Sequence, residues 1–383
     1  MSYDVWELRS KEFPWAARGD AIYLNNASTG PLPVRTVEAQ SSFTALRAEP
    51  FRMSDELQFG TIARSRALLA GLIGASPDEI ALMVNTTYGI NVAARALPLG
   101  EGDTVLTFDR EFPANIYPWM ALAPLGVTLE RIPCRDGLAD EEALLLALDR
   151  PDVRAVTVSW VSFATGYRVD LGRIGRACRD RGIYFIVDAM QGLGALTLDV
   201  RECFVDVLAC GGQKWLLSPW GTGFVYVRSE LVTALEPSSV GWLAMRGSED
   251  FTRLVDYDFT YWDDARRFEV ITLPFQDFAG LNASLELLVE LGPRRVEAYV
   301  ASLVNMAVAW TRERTGVRLV TPMDPQRRAG IVAIAPADPP KASARLKQFG
   351  ISHSLREGAI RLSPHCYNTE AEMERALEVL GAE

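Results

Sequence analysis

Two neighbouring stretches decide the fold: GIYFIVDAMQ (182–191) and DVLACGGQKWLLSPWGTGFVYV (206–227). Each opens with a short apolar run and closes in polar residues. The first ends in Asp188 and Gln191, and the second in Gln213 and Lys214, followed by the turn SPWGTG and another apolar run, FVYV. Short apolar strands bounded by Gly, Asp or Pro and separated by helices predict a mostly parallel α/β sheet flanked by helices. In such open sheets ligands bind where the strands end.

Working outward, the same alternation runs through EIALMV, EGDTVLTFD, LGVTLERIP and DVRAVTVSWVS, with helical stretches TIARSRALLAGLIG, ADEEALLLALDR and DLGRIGRACRDRG between them. The stretch 239–274 is rich in aromatics and charges without a period, which predicts irregular structure covering the sheet. A long helix broken at Gly292-Pro293 follows, then strands VRLVTP, GIVAIAP and AIRLSPH with helices KASARLKQFG and TEAEMERALEVLGAE. The expected organisation is an N-terminal segment (1–20), a large α/β domain (21–270) and a small C-terminal α+β domain (271–383), with a cleft between the two domains.

The 383 residues are 49% hydrophobic and 23% charged, enough apolar material for a large core, which excludes disorder as the main state. A net charge of -10 argues against nucleic acid as the partner. No apolar run is long enough to span a membrane, and the start MSYDVWELRSKEF has no signal-peptide h-region. Five scattered Cys and two His, with no CxxC pair, make no structural metal site. These features predict a cytoplasmic protein with a small-molecule partner and no metal.

A lysine directly after GGQ at a strand end is costly to bury unless it is used or paired. Lys214 taken alone can be a snorkelling or ion-paired lysine, and Asp188 alone a turn cap. Together, at the ends of consecutive strands, they offer an imine-forming amine and a carboxylate for a pyridinium nitrogen, the partners that pyridoxal phosphate requires. Upstream, NTTYGIN places Asn85, Thr86 and Thr87 between a strand and a helix starting near Tyr88. Hydroxyls and free N–H groups there can hold a phosphate, or simply cap the helix. In REFPANIYPW, Phe112 can cover a flat ring or fill the core.

In this order the motifs resemble the class V aminotransferase family, fold-type I pyridoxal phosphate enzymes that include cysteine desulfurases, kynureninases and isopenicillin N epimerase. The resemblance runs from YLNNASTGPLP (23–33) to RLSPHCYNTEAEMERAL (361–377). It implies a fold-type I architecture and pyridoxal 5'-phosphate as cofactor. Thr86 and Thr87 would contact the phosphate, with Gln213 as a further donor. Phe112 would stack on the ring, Asp188 meet its nitrogen, Gln191 lie on its hydroxyl side, and Lys214 carry it as an imine. RRFEVITLP points to Thr272 reaching the phosphate of a neighbouring subunit, hence a homodimer. RLSPHCYNT points to Arg361 clamping the carboxylate of a small amino acid substrate, an assignment that suits a guanidinium. Asn26 and Ser28 in the NNAS loop, and Trp242, are expected to shape substrate choice; Ser162 and Thr165 would be further cofactor contacts.

The departures matter as much. Desulfurases carry a nucleophilic Cys shortly before the carboxylate-binding Arg; here FGISHSLREGAI (349–360) has none, and Cys366 lies after Arg361 as a core residue. Persulfide-forming desulfuration is therefore disfavoured. Gln213 stands where many relatives have His, and Phe163 where desulfurases have a cofactor-contacting Asn. The expected activity is transaminase or β-lyase chemistry through a Cα carbanion. The alternatives are an epimerase-like or kynureninase-like enzyme of the same family, or a cofactor-binding accessory protein without turnover. A Rossmann dehydrogenase is disfavoured because WGTGF lacks the full G-x-G-x-x-G before a helix.

Overall fold

The apolar runs do become strands, and their ends converge. The computed structural model describes residues 3–382. The strands, in chain order, are β1 (Ile22–Tyr23), β2 (Ile80–Met83), β3 (Thr104–Phe108), β4 (Thr128–Ile132), β5 (Val153–Ser159), β6 (Tyr184–Asp188), β7 (Val207–Gly211), β8 (Gly223–Val227), β9 (Val317–Leu319), β10 (Val332–Pro336), β11 (Ile351–Ser352), β12 (Ser354–Arg356) and β13 (Ala359–Leu362). β2 to β8 form one seven-stranded sheet in the order β2-β8-β7-β6-β5-β3-β4. β3, β4, β5, β6 and β7 pair in parallel, whereas β8 runs antiparallel to both β7 and β2. β6, β7 and β8 are buried almost throughout, as expected for strands covered on both faces.

Helices supply that cover. Asp55–Ile73 is capped by Ser54, whose side chain accepts from Leu57 N–H, and closes at Gly74 in the left-handed region. Leu171–Arg181 begins with the Asp170 cap and ends at Gly182, also left-handed. The long helix breaks where the Gly-Pro pair predicts: Phe275–Leu291 ends at Gly292 and Pro293–Arg312 begins with proline at its first position. The stretch 239–274 is irregular apart from short 3-10 turns at Trp242–Ala244 and Ala265–Phe268. Among the described residues no helix is long and apolar enough to cross a membrane, and no group of His, Cys, Asp and Glu is arranged to hold a metal.

β9, β10, β12 and β13 make a second, antiparallel sheet in the order β12-β13-β10-β9, packed on Pro293–Arg312, Pro339–Gln348 and Glu370–Gly381 through Leu303, Val304, Ile334, Leu346, Ile360 and Met373. The chain's beginning joins this end of the molecule: β1 pairs in parallel with β11, and Asn25 bridges to Ser363. That pairing carries the NNAS loop to the foot of β13. It was not foreseen, because two-residue strands have no period to read.

Candidate active site

The backbone around Lys214 is pinned from several sides. After β7, Gly212 N–H donates to Thr222 O at 2.9 Å and Ser218 N–H to Gly212 O at 3.0 Å, folding the SPWGTG loop back on itself. Gly30 N–H donates to Gln213 O at 2.9 Å, and a Cβ on Gly30 would collide with the Lys214 carbonyl oxygen. Gly194, at φ +102°, approaches the Trp215 carbonyl just as closely. Trp215 is buried, with its indole N–H donating to Gln191 Oε1 at 2.9 Å and its carbonyl accepting from His365 Nε2 at 2.9 Å. The Lys214 side chain thus leaves a fixed backbone, with Nζ 5.6 Å from the Phe112 ring centroid. Desolvation lowers the ammonium's pKa to about 8; Asp188 works against that shift, while Arg361 and Arg356 add to it.

Asp188 closes β6 and is 4% exposed. One oxygen accepts from Met190 N–H at 2.9 Å, and the other takes no hydrogen bond among the described residues. Burial pushes the carboxyl up to about 6, against the pull of the Met190 N–H and Lys214. Gln191 is engaged at both ends, since its Nε2 donates to Ala27 O at 2.9 Å. The nearby helix starts at Thr86, two residues before the expected Tyr88, and Asn85 is its cap, accepting from Tyr88 N–H at 2.9 Å. The first N–H groups of this helix have no partners within it. Thr86 is buried and its hydroxyl accepts from Gly211 N–H at 2.9 Å; Thr87 is exposed.

The arrangement has the features that a phosphate-bearing cofactor needs. A Cβ on Gly211 would lie 2.6 Å from Gln213 Oε1, 3.3 Å from Met190 Sδ and 3.4 Å from Thr86 Oγ1, so the glycine holds open a small cradle beside the helix start. Gln213 Oε1 is buried there without a partner; turned over, the amide offers N–H instead. Helix N–H groups, two threonine hydroxyls and an amide suit an anion. The amine of Lys214, the free carboxylate oxygen of Asp188 and the face of Phe112 complete a set that fits pyridoxal phosphate. Phe112 is 44% exposed and packs edge-on against Phe163, so it is not a core aromatic.

Arg361, on β13, is 2% exposed. It donates to Phe163 O at 2.7 Å, to Ser28 Oγ at 2.7 Å and to Ser354 Oγ at 3.3 Å, while its Nε is buried without a partner. No carboxylate among the described residues pairs with it. Burial lowers its pKa to about 10, with Arg356 adding to the effect. A buried cation without a counter-ion is expensive, and a ligand carboxylate would offset that cost. Ser28 therefore lies beside the guanidinium. Asn26 does not face open space: it is fully buried, donating to Ser363 O at 2.8 Å and accepting from the Tyr367 hydroxyl at 2.9 Å. It ties the NNAS loop to the end of β13. Ser162 and Thr165 are occupied in shaping the Phe163 loop, accepting from Thr165 N–H and Tyr167 N–H respectively. Thr272 is exposed and accepts from the Trp242 indole at 3.3 Å.

One group escaped the sequence reading. Glu111, immediately before Phe112, accepts from Ser159 N–H at 2.8 Å, from the Ser159 hydroxyl, and from Asn115 Nδ2 at 3.4 Å. Ser159 is the register partner of Asp188, so this second carboxyl stands one strand away, and burial pushes it up to about 7. The signal in sequence was a lone Glu in a Pro-flanked loop, which nothing marks as inward-facing.

β12 and β13 are joined by Glu357 and Gly358 alone, both in the left-handed region at φ +47° and +76°, the two-residue turn of a tight hairpin. It leaves no room for a longer loop, and none of the five cysteines lies on it. Cys366 is fully buried in the core, and Cys210 is buried on β7 with its thiol donating to Gly211 O at 3.4 Å.

The family profile described as Aminotransferase class-V matches residues 22–376. A probable cysteine desulfurase of Methanothermobacter thermautotrophicus is 31% identical, with 94% of each chain covered. Isopenicillin N epimerase of Streptomyces clavuligerus is 29% identical, also with 94% of each covered. Among solved structures, a cystine C-S lyase in complex with its product cysteine persulfide superposes with a TM-score of 0.87 at 25% identity, covering 96% of this chain and 99% of that one. The chain belongs to the class V aminotransferase family and is an enzyme that depends on pyridoxal 5'-phosphate.

Proposed function

We propose that this enzyme takes the Cα proton from a small α-amino acid and expels a substituent from the β-carbon, a β-lyase reaction, with transamination as the other outcome of the same proton removal. The observation that carries this reading is the buried Arg361 guanidinium, without a counter-ion among the described residues and close enough for its charge to weaken the protonation of Lys214. Arg361, with Ser28 and Ser354 around it, would grip the substrate carboxylate bidentately. Thr86, Thr87 and Gln213 would anchor the cofactor phosphate, and Phe112 would cover the ring and keep water out. Bound pyridoxal phosphate supplies an electron sink for the charge left at Cα. Asp188 would hold a proton at the ring nitrogen. Lys214, with its depressed pKa, would accept the Cα proton as a free amine and return it to the leaving group or to carbon.

Relatives named as cysteine desulfurases raise the question of persulfide transfer. The two-residue turn between β12 and β13 supports leaving it aside, because it brings no thiol to the site. Elimination needs none, in keeping with the likeness to a cystine C-S lyase. Likeness to isopenicillin N epimerase keeps a second reading, return of the proton to the opposite face. Incubating the enzyme with a panel of α-amino acids separates these readings. Elimination releases ammonia and a keto acid without an added acceptor, transamination requires a keto acid, and epimerisation changes only the handedness. Release of nothing and inversion of nothing would overturn the reading as an enzyme of amino acids.

The working unit we propose is a homodimer. Val255, Tyr257 and Phe259 are 74%, 91% and 72% exposed in the stretch that also carries Trp242 and Thr272. Such a run of exposed apolar side chains is unusual for a monomer.

A further inference from the structure

We propose that Arg356 recognises a second anionic group, carried at the end of the substrate's side chain. The substrate class is then an α-amino acid with an acidic side chain or β-substituent. The inference rests on Arg361 being the clamp for the α-carboxylate.

The pleat of the hairpin carries the argument. Ser354 pairs with Arg361, and Arg356 with Ala359. Alternation along each strand places Ser354, Arg356, Ala359 and Arg361 on one face and Leu355, Ile360 and Leu362 on the other. The second face is the apolar one: Ile360 and Leu362 are in the core and Leu355 packs against it. The first face therefore belongs to the site, with Arg356 one side-chain position out from Arg361, about 7 Å along the strand. Arg356 is exposed, and among the described residues its side chain's only hydrogen bond runs to the neighbouring Leu355 carbonyl at 3.3 Å.

The ordinary explanation is a solvated surface arginine, whose natural partner would be the adjacent Glu357. That carboxylate is occupied instead by Arg110, at 2.9 Å. Arg110 lies two residues before Phe112, so the ion pair ties the Phe112 loop to the turn and leaves Arg356 free among the described residues. The charge of Arg356 weakens the protonation of Arg361 and acts on Lys214 as well. Three cations, Lys214, Arg361 and Arg356, thus share the site with Asp188, while Glu111 has its carboxyl pushed toward the neutral form. In a chain whose net charge is -10 this local excess is aimed at something. One substrate carboxylate satisfies Arg361; a second anion satisfies Arg356.

Calorimetric titration of the holoenzyme with succinate, glutarate and butyrate tests this without turnover. The expected result is about a tenfold preference for a dicarboxylate over butyrate, shrinking as salt is raised. In Arg356→Gln the ratio falls to about one, and in Arg356→Lys part of it returns. Among substrates, S-carboxymethyl-L-cysteine should exceed S-ethyl-L-cysteine in kcat/KM by a similar factor, again lost in Arg356→Gln. Circular dichroism and cofactor absorbance verify that the variants are folded and loaded. A wild-type ratio of one, or an undiminished ratio in Arg356→Gln, overturns the assignment while the clamp stands. Butyrate binding that is unchanged in Arg361→Ala overturns the clamp itself, and the second-anion inference with it.

Discussion

Lys214, Asp188 and Arg361 are held in states that cost stability, which is how a site prepared for a charged ligand differs from a core. A carboxyl whose folded pKa is raised binds its proton more tightly folded than unfolded. The stability it confers is complete below the ordinary carboxylate range and is lost as pH rises through about 6, the value for Asp188. Between pH 4 and pH 7 the cofactor-free protein should therefore lose up to about 3 kcal/mol on account of Asp188 alone. Asp188→Asn should remove most of that loss, raising the denaturant midpoint of the cofactor-free protein at pH 7 while abolishing activity. A lowered midpoint would mean that Asp188 is paired and structural. For Arg361→Ala we expect KM for amino acids to rise and kcat/KM to fall roughly tens- to thousands-fold, with the absorbance of the lysine-bound cofactor intact. A surface arginine would change kcat/KM by less than about tenfold.

Among the elements, the loops at the strand ends are held by close backbone approaches at glycines as well as by buried side chains such as Trp215. Gly30 sits so close to the Lys214 carbonyl that Gly30→Ala must push the lysine's backbone away. We expect a loss of about 1–3 kcal/mol in stability, typical of overpacking, together with weakened cofactor binding. Retention of both would show that the NNAS loop is free to yield. Much at this scale was legible in sequence: the apolar runs at β2 to β8 and the helix break at Gly292-Pro293 follow from local chemistry. The antiparallel direction of β8 did not, because strand periodicity carries no direction. The β12–β13 hairpin was missed because its three-residue first strand, SLR, is too short to show alternation, and its turn uses Glu357 rather than the Asn or Asp that usually precedes Gly. Glu111 and Arg356 were missed for a related reason. What they do depends on which strand ends lie side by side, and register is a property of the sheet.

At the scale of the whole molecule, the chain's start and its last third come together through β1 and β11, and the site lies where the seven-stranded sheet meets them. The domain boundaries expected at residues 20 and 270 follow changes in sequence character; the parallel pairing of Ile22 with Ile351 links the large domain to the small one across the second of them, a long-range contact with no local signature. The exposed stretch around Tyr257 and Phe259 should be covered by a second copy. Sedimentation is expected to give a dimer, and Tyr257→Asp combined with Phe259→Asp to shift it toward monomer with weaker cofactor retention. Thr272→Val alone should weaken cofactor binding without dissociating the dimer; a fully active monomer would defeat this account of assembly. Everything above depends on one residue being the cofactor's attachment point, and that is open to direct measurement. The purified enzyme is treated with borohydride, digested, and mapped by mass spectrometry for the reduced pyridoxyl group. The account predicts a single modified lysine, Lys214, and none in Lys214→Ala; modification of another lysine, or of none in the wild type, would contradict it.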